Sequence, residues 1–252
     1  MTVDDSYTKI LLHFNGGDAS TTFTDESGKT WTGYGNAQLD TAYKKFGSAS
    51  LVLDGTGDYI DTPDSSDFTL GSGDFTFDCW CKLNAFGTRR TIFGQTNGTS
   101  ANHTISLEFT ADNIIRCITR DSSNENYTLV GITAITDSNW HHIALVRNGS
   151  DLIVYLDGIQ DGKISIGTAT IFNTSLVFVV GKYGTYGGGL YFNGHIDEFR
   201  FSKGIARWTS DFTPPSCEYA YLNLRTINGI NLQSVKTING VSINSIKSVW
   251  GI

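Results

Sequence analysis

The clearest signal in this chain is the alternation WHHIALVRNGSDLIVYLDG at Trp140–Gly158. Ile143, Leu145 and Arg147 alternate with His142, Ala144 and Val146, and Asn148-Gly149 then turns the chain. Leu152, Val154 and Leu156 alternate with Ile153 and Tyr155 until Asp157-Gly158 turns it again. Period-two patterning closed by Asn-Gly or Asp-Gly predicts a β-hairpin, because these turn residues tolerate a positive φ. Both arms carry apolar residues on both faces, which places the hairpin inside a sheet that is covered on two sides.

The same patterning predicts strands at Tyr7–Phe14, Phe46–Leu53, Tyr59–Asp61, Phe75–Leu83, Arg90–Phe93 and Thr104–Phe109. It continues through Ile114–Arg120, Tyr127–Ile132, Val177–Lys182 and Leu190–Ser202, each bounded by Asn, Asp, Ser or Gly. No window sustains a helical stripe of apolar residues. About a dozen short, evenly spaced strands imply an all-β sandwich or jelly roll. The 28 glycines against one methionine agree with a chain of many tight turns.

Past Pro214-Pro215 the pattern changes to a repeat. Arg225–Val235 (RTINGINLQSV) is followed by Lys236–Ile246 (KTINGVSINSI), and Lys247–Ile252 begins a third copy. An eleven-residue period can mark a supercoiled helix, but the Asn-Gly in each copy argues for short strands joined by turns. So few copies bury too little surface to stand alone. The chain therefore divides into a jelly-roll domain, 1–216, and a tail, 217–252. Residues 225–252 are expected to dock on sister chains or another protein through Ile227, Leu232, Val235, Ile238, Ile243, Ile246, Val249 and Trp250.

Charge and cysteine usage narrow the partners. A net charge of −7 argues against nucleic acid and anionic membrane, both of which need clustered Lys and Arg. No apolar run is long enough to span a bilayer, so no membrane insertion is expected. The opening MTVDDSYTK lacks a signal-peptide pattern, so the expectation is assembly in a cytoplasm. Cys79, Cys81, Cys117 and Cys217 are then expected to be reduced thiols.

Four blocks in order carry a family likeness: FGSASLVLDGTGDYIDTP, GDFTFDCWCKL, WHHIALVRNGSDLIVYLDG and GHIDEFRFSKGIARW. Over roughly residues 7–216 the chain resembles the laminin G-like, pentraxin-like branch of the concanavalin A-like lectins and glucanases. The resemblance implies two antiparallel sheets packed face to face, with ligands on the concave face or on the loops of one rim. The Ile-Asn-Gly-Val repeat, in turn, resembles the ends of tailed-phage virion proteins.

Glucanases of that superfamily place Glu-x-Asp-x-x-Glu on one strand face. None of Glu26, Glu108, Glu125, Glu198 and Glu218 begins this pattern. Asp197 and Glu198 are adjacent, and in a regular strand they would point apart. No catalytic residues are therefore assigned. His142 follows Trp140 closely and reads as a packed histidine, and Trp208 as a plug that closes the sandwich.

Asp197 shares parity with Phe199 and Phe201, which predicts that it points inward. A buried carboxylate needs donors or a cation. Some laminin G-like domains hold calcium at the rim, so Asp25 and Asp197 are candidate calcium ligands; the alternative is no cofactor, with backbone N–H groups as the donors. For a sugar, exposed aromatic faces beside amides are needed. Tyr183, Tyr186, Tyr191 and Asn193 offer them on one glycine-rich loop, and Asn97 and Asn102 lie on a second. The competing reading is that these tyrosines cap the sandwich edge or form a subunit contact.

The sequence thus reads as a non-enzymatic virion protein whose lectin-like domain attaches to host-surface glycans. The alternative is a capsid-decorating or tail-reinforcing protein with no sugar ligand, and a glycoside hydrolase comes last.

Overall fold

The computed structural model describes residues 6–184 and 189–219 and, beyond them, four two-residue strands. In chain order the strands are β1 (Thr8–Leu12), β2 (Thr32–Tyr34), β3 (Gln38–Asp40), β4 (Ser50–Asp54), β5 (Tyr59–Thr62), β6 (Phe75–Leu83), β7 (Arg90–Thr96) and β8 (His103–Phe109). There follow β9 (Ile114–Arg120), β10 (Asn126–Ala134), β11 (Trp140–Asn148), β12 (Asp151–Leu156), β13 (Ile159–Ser165), β14 (Phe178–Val180) and β15 (Asn193–Lys203). Among the described residues the only helical turns are two short 3-10 turns, Ser66–Phe68 and Ser100–Asn102, and no helix is long and apolar enough to cross a membrane.

These strands form two antiparallel sheets, the expected sandwich. One has eight strands in the order β13-β12-β11-β6-β15-β4-β3, with β1 also paired to β15; the other has seven, β10-β9-β8-β7-β14-β5-β2. The hairpin read from the sequence is present as β11 and β12, with Asn148 opposite Asp151 across the turn. Alternate residues of each strand enter the shared core, among them Phe75, Phe77, Cys79 and Cys81 from β6 and Ile105, Leu107 and Phe109 from β8. At its centre Phe77 stacks on Phe201, with ring centroids 4.2 Å apart, and on Phe93 at 4.5 Å. Offset aromatic pairs of this kind contribute about 0.5–1.5 kcal/mol each beyond their burial. Cys79 and Cys81 lie on one strand face with Sγ atoms 3.5 Å apart, and all four cysteines are free thiols.

The two-sided apolar pattern of β11 and β12 has its counterpart in a second, smaller cluster on the outer face of the eight-stranded sheet. Ala144, Val146, Ile153 and Tyr155 pack there against Ala206, Trp208 and Phe212. The segment after β15 therefore folds back as a strap over its own sheet. Trp208 stacks on Phe212 at 4.1 Å and both meet the edge of His142. Trp208 thus fastens the strap from outside and does not plug the interior. His142 is packed, as its sequence context suggested. The strap ends on Tyr219, which is buried, so the packed body runs just past the expected boundary at Ser216.

One local irregularity overturns a parity expectation. Register along β15 shifts between Asp197 and Arg200, where Glu198 takes a left-handed φ of 50°. A bulge of this kind inserts one extra residue and reverses the face of everything beyond it. Asp197 pairs with Trp80 on the outer face, whereas Phe199 and Phe201 point into the core. The bulge sits where β15 exchanges neighbours, from β4 at Asn193–Ile196 to β1 at Phe199–Ser202.

Within the tail, β16 (Thr226–Ile227) pairs with β17 (Ile230–Asn231), and β18 (Thr237–Ile238) with β19 (Val241–Ser242). The two pairs repeat one register eleven residues apart. Leu232, Val235, Ile243, Ile246, Val249 and Trp250 lie outside the described residues, and for Ile227 and Ile238 the structure describes strand pairing alone.

Candidate functional site

On the outer face of the seven-stranded sheet, strand pairing gathers aromatic and charged side chains that are far apart in sequence. Tyr34 of β2 lies directly opposite Tyr59 of β5, and their rings stack 4.4 Å apart at 8°. Tyr191 tilts against Tyr59 at 6.4 Å, and the Lys182 ammonium lies 4.4 Å from the Tyr59 ring centre and 5.8 Å from that of Tyr191. Tyr34 remains 39% exposed, so the stack presents an open ring face. Asp61, two residues beyond Tyr59 on the same face, takes a hydrogen bond from Tyr34. Burial pushes the Asp61 carboxyl above the usual range and pulls the Lys182 ammonium below its own.

The same face continues across β7, β8 and β9. The chain after β14 crosses the sheet over Gly94, which the Gly184 N–H and the Lys182 carbonyl approach to van der Waals contact. Gly184 itself has φ +61°, and a Cβ there would lie 1.8 Å from the Thr96 carbonyl oxygen. Only glycine permits this approach. It delivers Tyr183 beside His103, whose Nδ1 lies 3.4 Å from the Tyr183 hydroxyl, and beside Arg89. Below them Glu108, fully buried, takes bonds from Arg89 Nη2 at 2.9 Å and Arg116 Nε at 2.6 Å. Two guanidinium groups on one buried carboxylate form a rigid, net-positive floor.

Of the residues singled out from the sequence, the fold brings Tyr183 and Tyr191 to this face. Tyr186 lies outside the described residues. Asn193 does structural work: its Nδ2 donates to the Asp54 carbonyl at 2.8 Å and stitches the turn after β4. Asn97 closes its own loop, accepting from the Thr99 N–H and hydroxyl at 3.1 and 2.7 Å, and Asn102 is exposed. Tyr34, Tyr59 and Asp61 went unread, although YIDT alternates and Tyr59 and Asp61 necessarily share the face opposite Ile60 and Thr62.

The two candidate calcium ligands have their oxygens occupied. Asp25 accepts from the Leu11 and Ser27 N–H groups and the Ser27 hydroxyl through Oδ1, and from the Trp31 indole through Oδ2. Asp197 accepts from the Lys45, Phe46 and Glu198 N–H groups. Calcium takes six to eight oxygen ligands with free lone pairs. Both carboxylates already spend most of their acceptor capacity on internal donors, which for Asp197 are backbone N–H groups, and this fits a calcium ligand set poorly. Burial lifts the Asp197 carboxyl to about 7 against the pull of those donors. Its neighbour Glu198 is bonded to His13 Nδ1 at 2.6 Å and to the Tyr219 N–H at 2.8 Å. The bulge thus leaves Asp197 and Glu198 each tied to its own donors, at the point where β4 and β1 diverge. Glu218 joins His13 and Glu198 as the one grouping of three possible metal-ligating side chains among the described residues.

Residues 54–207, more than half of the chain, match the laminin G-like family described as the concanavalin A-like lectin/glucanases superfamily. Among solved structures, the binding domain of Paraclostridial Mosquitocidal Protein 1 superposes with a TM-score of 0.62 at 14% identity, covering 79% of this chain and 49% of that one. The binding domain of botulinum neurotoxin DC, solved in complex with SialylT, gives 0.57 at 13% identity over the same shares of the two chains. Domain 4 of AbnA, an extracellular arabinanase from Geobacillus stearothermophilus, solved with arabinotriose, gives 0.55 at 20% identity, covering 80% of this chain and 95% of that domain. The chain spans about half the length of the toxin binding domains that it matches. Comparison with curated protein sequences finds no match. At these identities the superpositions establish the fold, and the family match establishes membership: this chain belongs to the laminin G-like family of the concanavalin A-like lectin/glucanases superfamily.

Proposed function

We propose that the chain is a non-enzymatic glycan-binding module whose binding face is the outer surface of the seven-stranded sheet. The observation that carries this reading is the Tyr34–Tyr59 stack with Lys182, Asp61 and Tyr191 around it. A sugar ring offers a C–H face that packs on an aromatic face, and hydroxyls that need a donor and an acceptor at its rim. The stack supplies the first, and Lys182 and Asp61 the second. Two relatives of the same fold, at low identity, were solved with arabinotriose and with SialylT, which favours a saccharide over other ligands.

The binding reading is preferred to a hydrolytic one because Asp197 and Glu198 are fixed by internal donors and, among the described residues, no paired carboxylates face the tyrosine stack. A single shallow site of millimolar affinity corresponds to only about 4 kcal/mol. Useful adhesion then needs several copies acting together. The repeat at 225–252 is the segment suited to gathering copies, by docking on sister chains or on a larger particle. We take a virion to be that particle, which makes host-surface attachment the role.

The test is a glycan array probed with the full chain, with calcium and with chelator. Binding that survives chelation and is lost in Tyr59→Ala is the expected result. Absence of binding to any glycan, under either condition, overturns the proposal and leaves a structural, decorating role.

A further inference from the structure

The strap covers only part of the eight-stranded sheet's outer face. Trp208 and Phe212 reach His142 and Tyr155, and the chain then runs through Pro214-Pro215 to bury Tyr219 against Asp78 and Arg200. Beside these prolines lies an open cleft of about 560 Å³, floored by Trp80 and Trp140 and walled by Lys45, Phe46, Asp157 and Pro215. Phe46 meets the Trp80 ring edge-on at 5.9 Å. Trp80 and Trp140 sit on β6 and β11, each hydrogen-bonded to a strand on both sides, so the cleft presents ring faces and offers no free strand edge to a peptide.

Its polar groups are unevenly matched. The Lys45 ammonium rests 3.8 Å from the centre of the Trp80 ring and makes no ion pair among the described residues, although the Asp157 and Asp197 carboxylates both attract its charge. The Trp80 indole N–H beneath it is buried with no acceptor. The acceptors nearby are already engaged. Asp157 takes the His142 N–H at 2.8 Å through Oδ1 and the His141 ring Nδ1 at 2.7 Å through Oδ2. Asp197 is occupied by the backbone N–H groups of Lys45 and Phe46. The His141 ring, bonded on its other side to Asp137, carries a proton more readily than usual, chiefly because of Asp157. Both Asp157 oxygens are thus held by internal donors, and among the described residues Lys45 and the Trp80 indole N–H are the donors left without a hydrogen-bond acceptor between the aromatic walls.

We propose that this cleft is a second ligand site, independent of the tyrosine face, that takes a sugar ring bearing a carboxylate. The ring packs against Trp140 and Phe46, and the carboxylate accepts from Lys45. The two sites lie on the outer faces of opposite sheets, so one chain engages two saccharide groups at once.

The experiment follows Trp140 in the full chain by NMR of the tryptophan indoles, assigned with Trp140→Phe. The probes are methyl β-D-glucuronide and, as the uncharged counterpart, methyl β-D-glucoside. The glucuronide is expected to shift the Trp140 signal and to bind about tenfold or more tightly than the glucoside, the scale of one charge-assisted hydrogen bond. Lys45→Ala is expected to lose that preference, and Lys45→Arg, which keeps the charge, to retain it. A Trp140 signal unmoved by the glucuronide, equal binding of the two glycosides, or a Lys45→Ala variant that keeps the preference overturns the proposal. Because the readout is local to Trp140, such a failure leaves the tyrosine-face reading to its own test.

Discussion

Tyr219→Phe probes the buried ionic network that clamps the end of the strap. The Tyr219 ring lies 3.6 Å from the Arg200 guanidinium, and its hydroxyl donates to Asp78 Oδ2. Asp78 is buried and receives Arg200 Nε at 3.0 Å and Nη2 at 3.2 Å. Burial works against its charge, but Arg200 and His142 outweigh that and hold the carboxyl below the usual range. The substitution keeps the ring and removes one bond to a charged acceptor. Such bonds contribute about 1.5–3 kcal/mol. Arg200 still satisfies Asp78, which places the cost at the lower end, about 2 kcal/mol. Asp78→Ala instead strands a buried guanidinium and is expected to cost about 3–5 kcal/mol. Urea denaturation of the full chain, followed by tryptophan fluorescence, separates the two. With a slope of roughly 3 kcal/mol per molar, Tyr219→Phe lowers the midpoint by about 0.7 M and Asp78→Ala by about 1 M or more. A Tyr219→Phe midpoint indistinguishable from wild type would refute the clamp. So would equal losses in the two variants.

Asp197, lifted to about 7 by burial, keeps a proton in the folded chain from about pH 4 upward that the unfolded chain releases. Its contribution is complete below that window and is lost as pH rises through 7, so Asp197→Asn is expected to flatten the fall of the urea midpoint between those limits; an unchanged slope counts against the assignment. Gly184→Ala forces a Cβ against the Thr96 carbonyl in a left-handed conformation, and is expected to cost about 1–3 kcal/mol and to weaken glycan binding by displacing Lys182 and Tyr183. Wild-type binding in that variant would contradict the placement of the crossing segment. Ellman's reagent should titrate one thiol in the native chain, the exposed Cys217, and four in denaturant; two fewer in denaturant would reveal a Cys79–Cys81 disulfide.

Much of the sandwich was legible because its signals are local. The β11–β12 hairpin announces itself through alternation and Asn-Gly, and Phe75–Leu83 and Ile114–Arg120 emerge with the bounds read from their period. The strands that escaped carry no such period. Thr32–Tyr34 and Gln38–Asp40 are three residues long, and the edge strand Ile159–Ser165 (IQDGKIS) is mostly polar, with Gly162 admitting the Val130 carbonyl. The face of Asp197 was misread for a different reason. A bulge is set by which strands neighbour β15, and nothing in HIDEFRF marks it. The candidate binding face was half visible: the glycine-rich loop drew attention to Tyr183 and Tyr191, but their partners Tyr34 and Tyr59 arrive through the pairing of β2, β5 and β14. That pairing is a long-range fact. Asn193 and Asn97 were plausible as sugar ligands by residue type, and only the fold reveals that each is committed to its own turn.

The most direct test of the tyrosine face is a titration of the strongest array glycan into the full chain, with ring signals of the tyrosines observed by NMR. The expected result is a shift of Tyr34, Tyr59 and Tyr191 together, with Tyr59→Ala weakening binding about tenfold, the scale of one lost ring contact. Shifts confined to the loop at Asn97–Asn102 or to the sheet edge, with the Tyr34–Tyr59 pair unmoved, would contradict it.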